Sequence, residues 1–234
     1  MLDGAYELRE QLGELDENIR ALLVTLADRA AEGWQEDDAG MWEARDEERP
    51  YLSSKVMCWV ALDRAIKLAG KLGAEGRIGH WRRARDEVRA AVLERGWCEE
   101  AGAYTGAFGS THLDASVLLL PLVGFLPATD ERMRATIFAV ERELGAGGGL
   151  LKRWKGEENG FLIVSFWMVE CLVLLGETEK AERRFEELLR YSNELGLMAE
   201  MAEPEGGRLL GNFPQAFSHV GLINAAWRLS QARR

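Results

Sequence analysis

Ser53-Ser54-Lys55-Val56-Met57-Cys58-Trp59-Val60-Ala61-Leu62-Asp63-Arg64-Ala65-Ile66-Lys67-Leu68-Ala69-Gly70-Lys71-Leu72 decides the fold. Val56, Trp59, Val60, Leu62, Ala65, Ile66 and Ala69 recur at helical spacing but cover more than one face. Such a helix is expected to be buried on two sides. Ser53 or Ser54 stands where a helix cap belongs, and Gly73 and Gly76 make the turn at the far end. The segment that follows, Gly79 to Arg95, is amphipathic instead, with Trp81, Val88, Val92 and Leu93 inward. A buried helix followed by an amphipathic one is the unit from which the rest of the chain reads.

Upstream, residues 2–12 read as a helix tail. Leu15 to Ala31 reads as an amphipathic helix on Ile19, Leu22, Leu23, Leu26 and Ala30, stopped by Gly33. Trp34 to Pro50 is a polar loop, acidic at Glu36-Asp37-Asp38 and again at Asp46-Glu47-Glu48. Downstream, Trp97 to His112 is a loop, and Leu113-Asp114-Ala115-Ser116 opens an apolar helix that ends between Pro121 and Pro127. Asp114 caps it. Asp130 caps a helix to Leu144, Gly145 to Gly149 reads as flexible, and Phe161 to Leu175 is a buried helix. Thr178 caps Ala181 to Leu195, and a last helix runs from about Phe213 to Ser230, with Pro214 acceptable in its first turn. About nine helices, short connections and almost no strand alternation give an all-α protein. No Pro/Ser-rich linker interrupts it, so residues 1–234 read as a single domain. The alternation of buried and amphipathic helices suits a toroid of helical hairpins, although bundles and solenoids give a similar pattern.

Net charge is −10 and pI about 5.0. Phosphate binding needs a basic face, so a nucleic-acid partner is disfavoured. Cys58, Cys98 and Cys171 are an odd, widely spaced set with no CxxC, which argues against a disulfide framework and a zinc site. A reducing, cytoplasmic setting is expected. The start Met1-Leu2-Asp3-Gly4 lacks a basic, apolar leader. Val117–Leu126 and Phe161–Leu175 are too short to span a bilayer. Eight Trp is high for this length; the indole ring suits cores and also the apolar face of a sugar ring.

The stretch from Leu197 to Asn224 leaves an apolar helical pattern, passes through an acidic Gly-rich loop and re-enters a helix. Glu200 at its edge and Asn212, Gln215, Ser218 and His219 on its return gather polar groups at one helix end, a common way to build a site. A solvated acidic turn is the plain alternative.

Several motifs then fall in one order: Gly40-Met41-Trp42-Glu43-Ala44-Arg45, Tyr51-Leu52-Ser53-Ser54-Lys55-Val56-Met57-Cys58-Trp59, Gly109-Ser110, Leu118-Leu119-Leu120-Pro121-Leu122-Val123-Gly124-Phe125-Leu126-Pro127, Ser165-Phe166-Trp167-Met168-Val169-Glu170 and Gly211-Asn212-Phe213-Pro214-Gln215-Ala216-Phe217-Ser218-His219. In these the chain resembles glycoside hydrolase family 15, and more closely its bacterial glucoamylase and trehalase-like members. The resemblance implies an (α/α)6 toroid, apparently incomplete, of which this chain is the C-terminal portion. It implies inverting hydrolysis of an α-glucoside or oligosaccharide without cofactor or metal. That chemistry needs a protonated acid for the leaving oxygen and a base that activates water, roughly 6.5–9.5 Å apart.

The family's general acid falls on Glu43, with Trp42 as an apolar wall beside it, and its general base falls on Glu200. Arg153 matches an Arg that hydrogen-bonds sugar hydroxyls; a surface cation is its alternative. Trp154 stands where relatives carry Tyr, so a ring can stack but the hydroxyl is gone. After Glu200 the residues Met201-Ala202-Glu203 depart from the usual pattern. His219 is placed behind Glu200 rather than in the chemistry. Two other readings stand beside the hydrolase: a truncated, non-catalytic fragment that needs a homo-oligomer or a complementing chain, and a helical scaffold that binds protein.

Overall fold

The structure, a computed structural model, describes residues 1–45 and 48–233. Asp46 and Glu47 of the second acidic run lie outside the described residues. The chain divides into two compact units, Met1–Trp97 with Ala107–Gly109, and Cys98–Gly106 with Ser110–Arg234.

The first unit is built on α1 (Leu2–Glu7), α2 (Glu17–Gly33), α3 (Leu52–Leu72) and α4 (Ile78–Arg95). As expected, α3 is the buried helix: α1, α2 and α4 all pack on it, and Leu52, Val56, Val60, Leu62 and Ala65 are fully buried. Burial of apolar area of this kind is the main favourable term in folding. Several polar groups caught inside are paired. Arg64 bonds Asp63 at 2.5 Å and Asp3 at 2.9 Å, and the buried Trp81 donates its indole N–H to Asp28 at 2.8 Å.

Three expectations are corrected here. The first helix is short, ending at Glu7 rather than near residue 12. Neither Ser53 nor Ser54 caps α3: the helix starts at Leu52 and Ser54 turns to Asp38 instead. On α2 the buried residues are Leu23, Ala27 and Ala31, whereas Ile19 and Leu22 are each 44% exposed. α2 packs on α3 and α4 with Leu23, Ala27 and Ala31 as its buried residues, which leaves Ile19 and Leu22 outside that contact.

The second unit contains α5 (Leu119–Leu122), α6 (Glu131–Leu144), α7 (Leu162–Leu174), α8 (Thr178–Leu189) and α9 (Ala216–Ala232). Here α7 is buried throughout and packs on α8 and α9. Asp130 caps α6 as expected, its carboxylate accepting from Met133 N at 3.1 Å. Asp114 likewise accepts from Ser116 N at 2.7 Å, at the start of the 3-10 turn Ala115–Leu118.

Thr178 does not cap: α8 starts at Thr178 itself, after Glu177, and ends at Leu189, because Tyr191 and the Asn193–Leu197 turn close it. The last helix begins at Ala216, three residues later than expected. The Gly145–Gly149 run is not loose. Its strand Gly145–Gly147 pairs antiparallel with Leu150–Leu151, and Arg184 donates to Gly149 O at 2.8 Å. A further three-stranded sheet joins Gly160–Phe161, Met201–Ala202 and Leu209–Leu210.

Candidate active site

Glu43 sits on the loop between α2 and α3 of the first unit. Its φ is +53°, and it is the one non-glycine residue among those described that lies in the left-handed region. A residue with a β-carbon holds such a backbone only where neighbours over-determine it. Glu43 N donates to Gly40 O at 3.2 Å and Ala44 N to Ala39 O at 2.8 Å, which closes a tight turn. Gly40 has φ +68°, and a β-carbon there would come within 2.8 Å of the Tyr51 ring. The turn therefore lies directly against the residue that precedes α3. At its base, Asp38 and Arg49 exchange backbone hydrogen bonds at 3.1 and 2.9 Å. Glu43 is exposed and Trp42 is half-buried.

Glu200 belongs to the second unit, at the point where the chain enters the strand Met201–Ala202. Its carbonyl accepts from Leu162 N at 3.0 Å and its N–H donates to Asn212 O at 2.9 Å. The carboxylate is held as well. Oε2 accepts from Asn212 N and from Asn212 Nδ2, both at 3.2 Å, and the Gln215 amide stands 3.5 Å from Oε1. Behind it, Ser218 Oγ donates to Ala199 O at 2.7 Å and Met198 N donates to His219 Nε2 at 3.2 Å. The polar groups of the return path thus fix Glu200 from two sides. His219 touches the backbone two residues before Glu200 and makes no bond to its carboxylate.

Arg153 and Trp154 are in the same unit. The Arg153 guanidinium lies 4.2 Å from the Trp154 ring centre and 4.5 Å from that of Phe161. Phe161 pairs through its backbone with Met201, the residue after Glu200. Arg153 therefore lies over a ring of the sheet whose neighbouring strand follows Glu200. Arg153 is gripped by Glu157: Nε and Nη2 donate to Oε1 at 2.8 and 2.5 Å, and Arg153 N donates to Oε2 at 2.7 Å. Trp154 is 36% exposed.

Sequence reasoning does not single out Glu157. The spacing to Arg153 is i+4, but Gly156, at φ +106°, prevents a helix there, so the pair carries no helical signature. Asp38 is also missed, submerged in a run read as solvated acid. The signal for it is Lys55, a cation within the apolar pattern of α3. Among the described residues no group of three or more His, Cys, Asp or Glu could hold a metal ion.

The family model for glycosyl hydrolases family 15 matches residues 13–227. A trehalase of Mycobacterium tuberculosis is 42% identical over 241 residues, covering 99% of this chain and 35% of the relative. A trehalase of Thermoplasma volcanium is 40% identical over 205 residues, covering 85% of this chain and 33% of the relative. The chain thus spans about a third of the length of these relatives. Among solved structures, a bacterial glucoamylase complexed with acarbose superposes at a TM-score of 0.81 with 13% identity, over 99% of this chain and 40% of that one. A structure described as a wild-type glycosidase gives 0.75 with 19% identity, over 87% and 58%. At such identities the likeness establishes the fold, which is the all-α, α/α-toroid type expected, covered in part.

Proposed function

The chain belongs to glycosyl hydrolases family 15, and from that membership we propose that it is the C-terminal portion of one toroid domain that hydrolyses α-glucosides with inversion. Glu43 is the general acid that protonates the leaving oxygen, and Glu200 is the general base that draws a proton from the attacking water. The water's oxygen then forms the new bond to the anomeric carbon as the glycosidic bond breaks. Arg153 donates to sugar hydroxyls, and Trp42 and Trp154 offer ring faces to the sugar.

The observation that carries this reading is the held carboxylate of Glu200. That carboxylate accepts from the backbone N–H and the side-chain amide of Asn212, while the Glu200 backbone is bonded to Leu162 N on one side and Asn212 O on the other. A base that must orient one water needs such restraint. Trehalose is the favoured substrate, on the strength of the trehalases at about 40% identity.

A second reading is favoured by α9. Phe217, Val220, Ile223 and Trp227 form one exposed apolar stripe along it. Patches of this kind mark contact surfaces, and the chain spans only a third of its relatives. In this reading the stripe is covered by helices of further polypeptide, and the hydrolase is complete only with them.

The test is glucose release from trehalose, maltose, isomaltose and soluble starch, with Glu43→Gln and Glu200→Gln as controls. Release abolished by both substitutions upholds the assignment. Release that survives either one removes that residue from its role. No release from the folded chain alone, restored by adding the unmatched N-terminal portion of a trehalase relative, upholds the second reading.

A further inference from the structure

Lys55 is a cation only 2% exposed, near the start of a helix whose buried residues are mostly apolar. Its Nζ donates to Glu36 O and stands 3.4 Å from Asp38 Oδ2. The other oxygen of Asp38 accepts from Gly40 N at 2.6 Å and from Ser54 Oγ at 2.7 Å. These bonds join the first turn of α3 to the loop on both sides of residue 38, and Gly40 opens the turn that ends at Glu43. A buried charge costs desolvation and is weak evidence for stability. An apolar side chain would fill the same place at least as well, so the arrangement calls for a reason other than packing. The left-handed backbone of Glu43 supplies one, since that conformation persists only when its surroundings hold it.

We propose that Lys55 and Asp38, with Ser54 bonded to Asp38, are positioning residues that set the Gly40–Glu43 turn and so aim the Glu43 carboxyl. Neither touches the substrate. The inference rests on Glu43 as general acid, and it adds the device that keeps that acid in place. Lys55 faces Asp38 Oδ2 and neutralises the carboxylate, whose Oδ1 accepts from both the loop, at Gly40 N, and the helix, at Ser54 Oγ. Without the cation, Asp38 Oδ2 loses its partner and only the two bonds to Oδ1 remain to anchor the loop.

The test compares Lys55→Met and Ser54→Ala with the unaltered chain by hydrogen–deuterium exchange and by kinetics. Exchange across residues 39–45 is expected to quicken at least tenfold in Lys55→Met and less in Ser54→Ala, with exchange across the later turns of α3 unchanged. In the active protein kcat falls at least tenfold in Lys55→Met while KM moves less than threefold, and Lys55→Arg recovers part of kcat. Unchanged exchange at 39–45 in both variants overturns the proposal, as does a kcat that survives Lys55→Met. Glu43→Gln separates the two layers. If it keeps full activity the acid assignment is lost, whereas an inactive Glu43→Gln beside a fully active Lys55→Met removes the positioning role alone.

Discussion

Gly211 lies against the Glu200 carboxylate so closely that a β-carbon on it would stand 2.5 Å from Glu200 Oε2. It also has φ +73°. Position 211 therefore favours glycine for two separate reasons, its left-handed backbone and its contact with the Glu200 side chain. Gly211→Ala is expected to push the carboxylate off Asn212 and to cost about 1–3 kcal/mol in backbone strain. Activity should fall more than the loss in folded fraction explains. Thermal unfolding alongside initial rates checks this, and an alanine variant with an unshifted midpoint and full rate counts against it.

The Arg153–Glu157 pair is shielded, with side chains 21% and 10% exposed. Glu157→Gln keeps the shape but removes the charge that holds a guanidinium between two rings. Hydrogen bonds to charged groups contribute about 1.5–3 kcal/mol, so urea denaturation should show a loss near 2 kcal/mol. Arg153→Lys cannot restore the fork, because an ammonium is a point charge. If Arg153 contacts sugar, both variants raise KM more than they lower kcat.

The helical pairs and the cap at Asp130 were legible because both are local: periodicity and a single carboxylate three residues ahead of an N–H suffice. Glu43 and Glu200 are singled out only through the motifs that carry the family resemblance, while the polar return from Asn212 to His219, which the structure gathers around Glu200, is legible in composition. What was hidden depends on distant partners. Ser54 looked like a cap because Asp38, sixteen residues away, cannot be seen from the helix. Ile19 and Leu22 fit an inward stripe, but the face α2 buries is that of Leu23, Ala27 and Ala31, a choice its tertiary neighbours make. The Gly145–Gly149 run looked loose because its strand partner lies just beyond it and Arg184 reaches it from α8.

Glu170 on α7 is buried and bonded to Arg228 on α9 at 3.0 Å. Burial lifts its carboxyl above the usual 4.5, and Arg228 only partly opposes this. The folded state therefore binds that proton more tightly than the unfolded chain. The stability it gives is full below pH 4.5 and is lost as pH rises through the higher folded value. Glu170→Gln removes the titration, so its unfolding midpoint should gain on the unaltered chain between pH 4.5 and neutrality. Parallel midpoint curves across that window would count against a raised carboxyl.

The stripe on α9 makes a prediction about association. Ser218, Gly221, Ala225 and Leu229 are the buried side of the helix, and a β-carbon on Gly221 would sit 3.1 Å from Phe166 on α7. Phe217, Val220, Ile223 and Trp227, 50–65% exposed, face away from that contact. Fully burying an apolar side chain of this size contributes about 1.5–3 kcal/mol, so four in line give a real drive to find cover. The chain at tens of micromolar should sediment as reversible assemblies. Ile223→Glu with Trp227→Glu should return it to one copy without altering the far-UV spectrum, since substitutions at exposed sites change stability by about 0.5 kcal/mol or less. The same double variant should abolish rescue by a complementing polypeptide if that polypeptide covers α9. Sedimentation as one copy before any substitution would remove self-association, and rescue that survives the substitutions would place the complementing contact elsewhere.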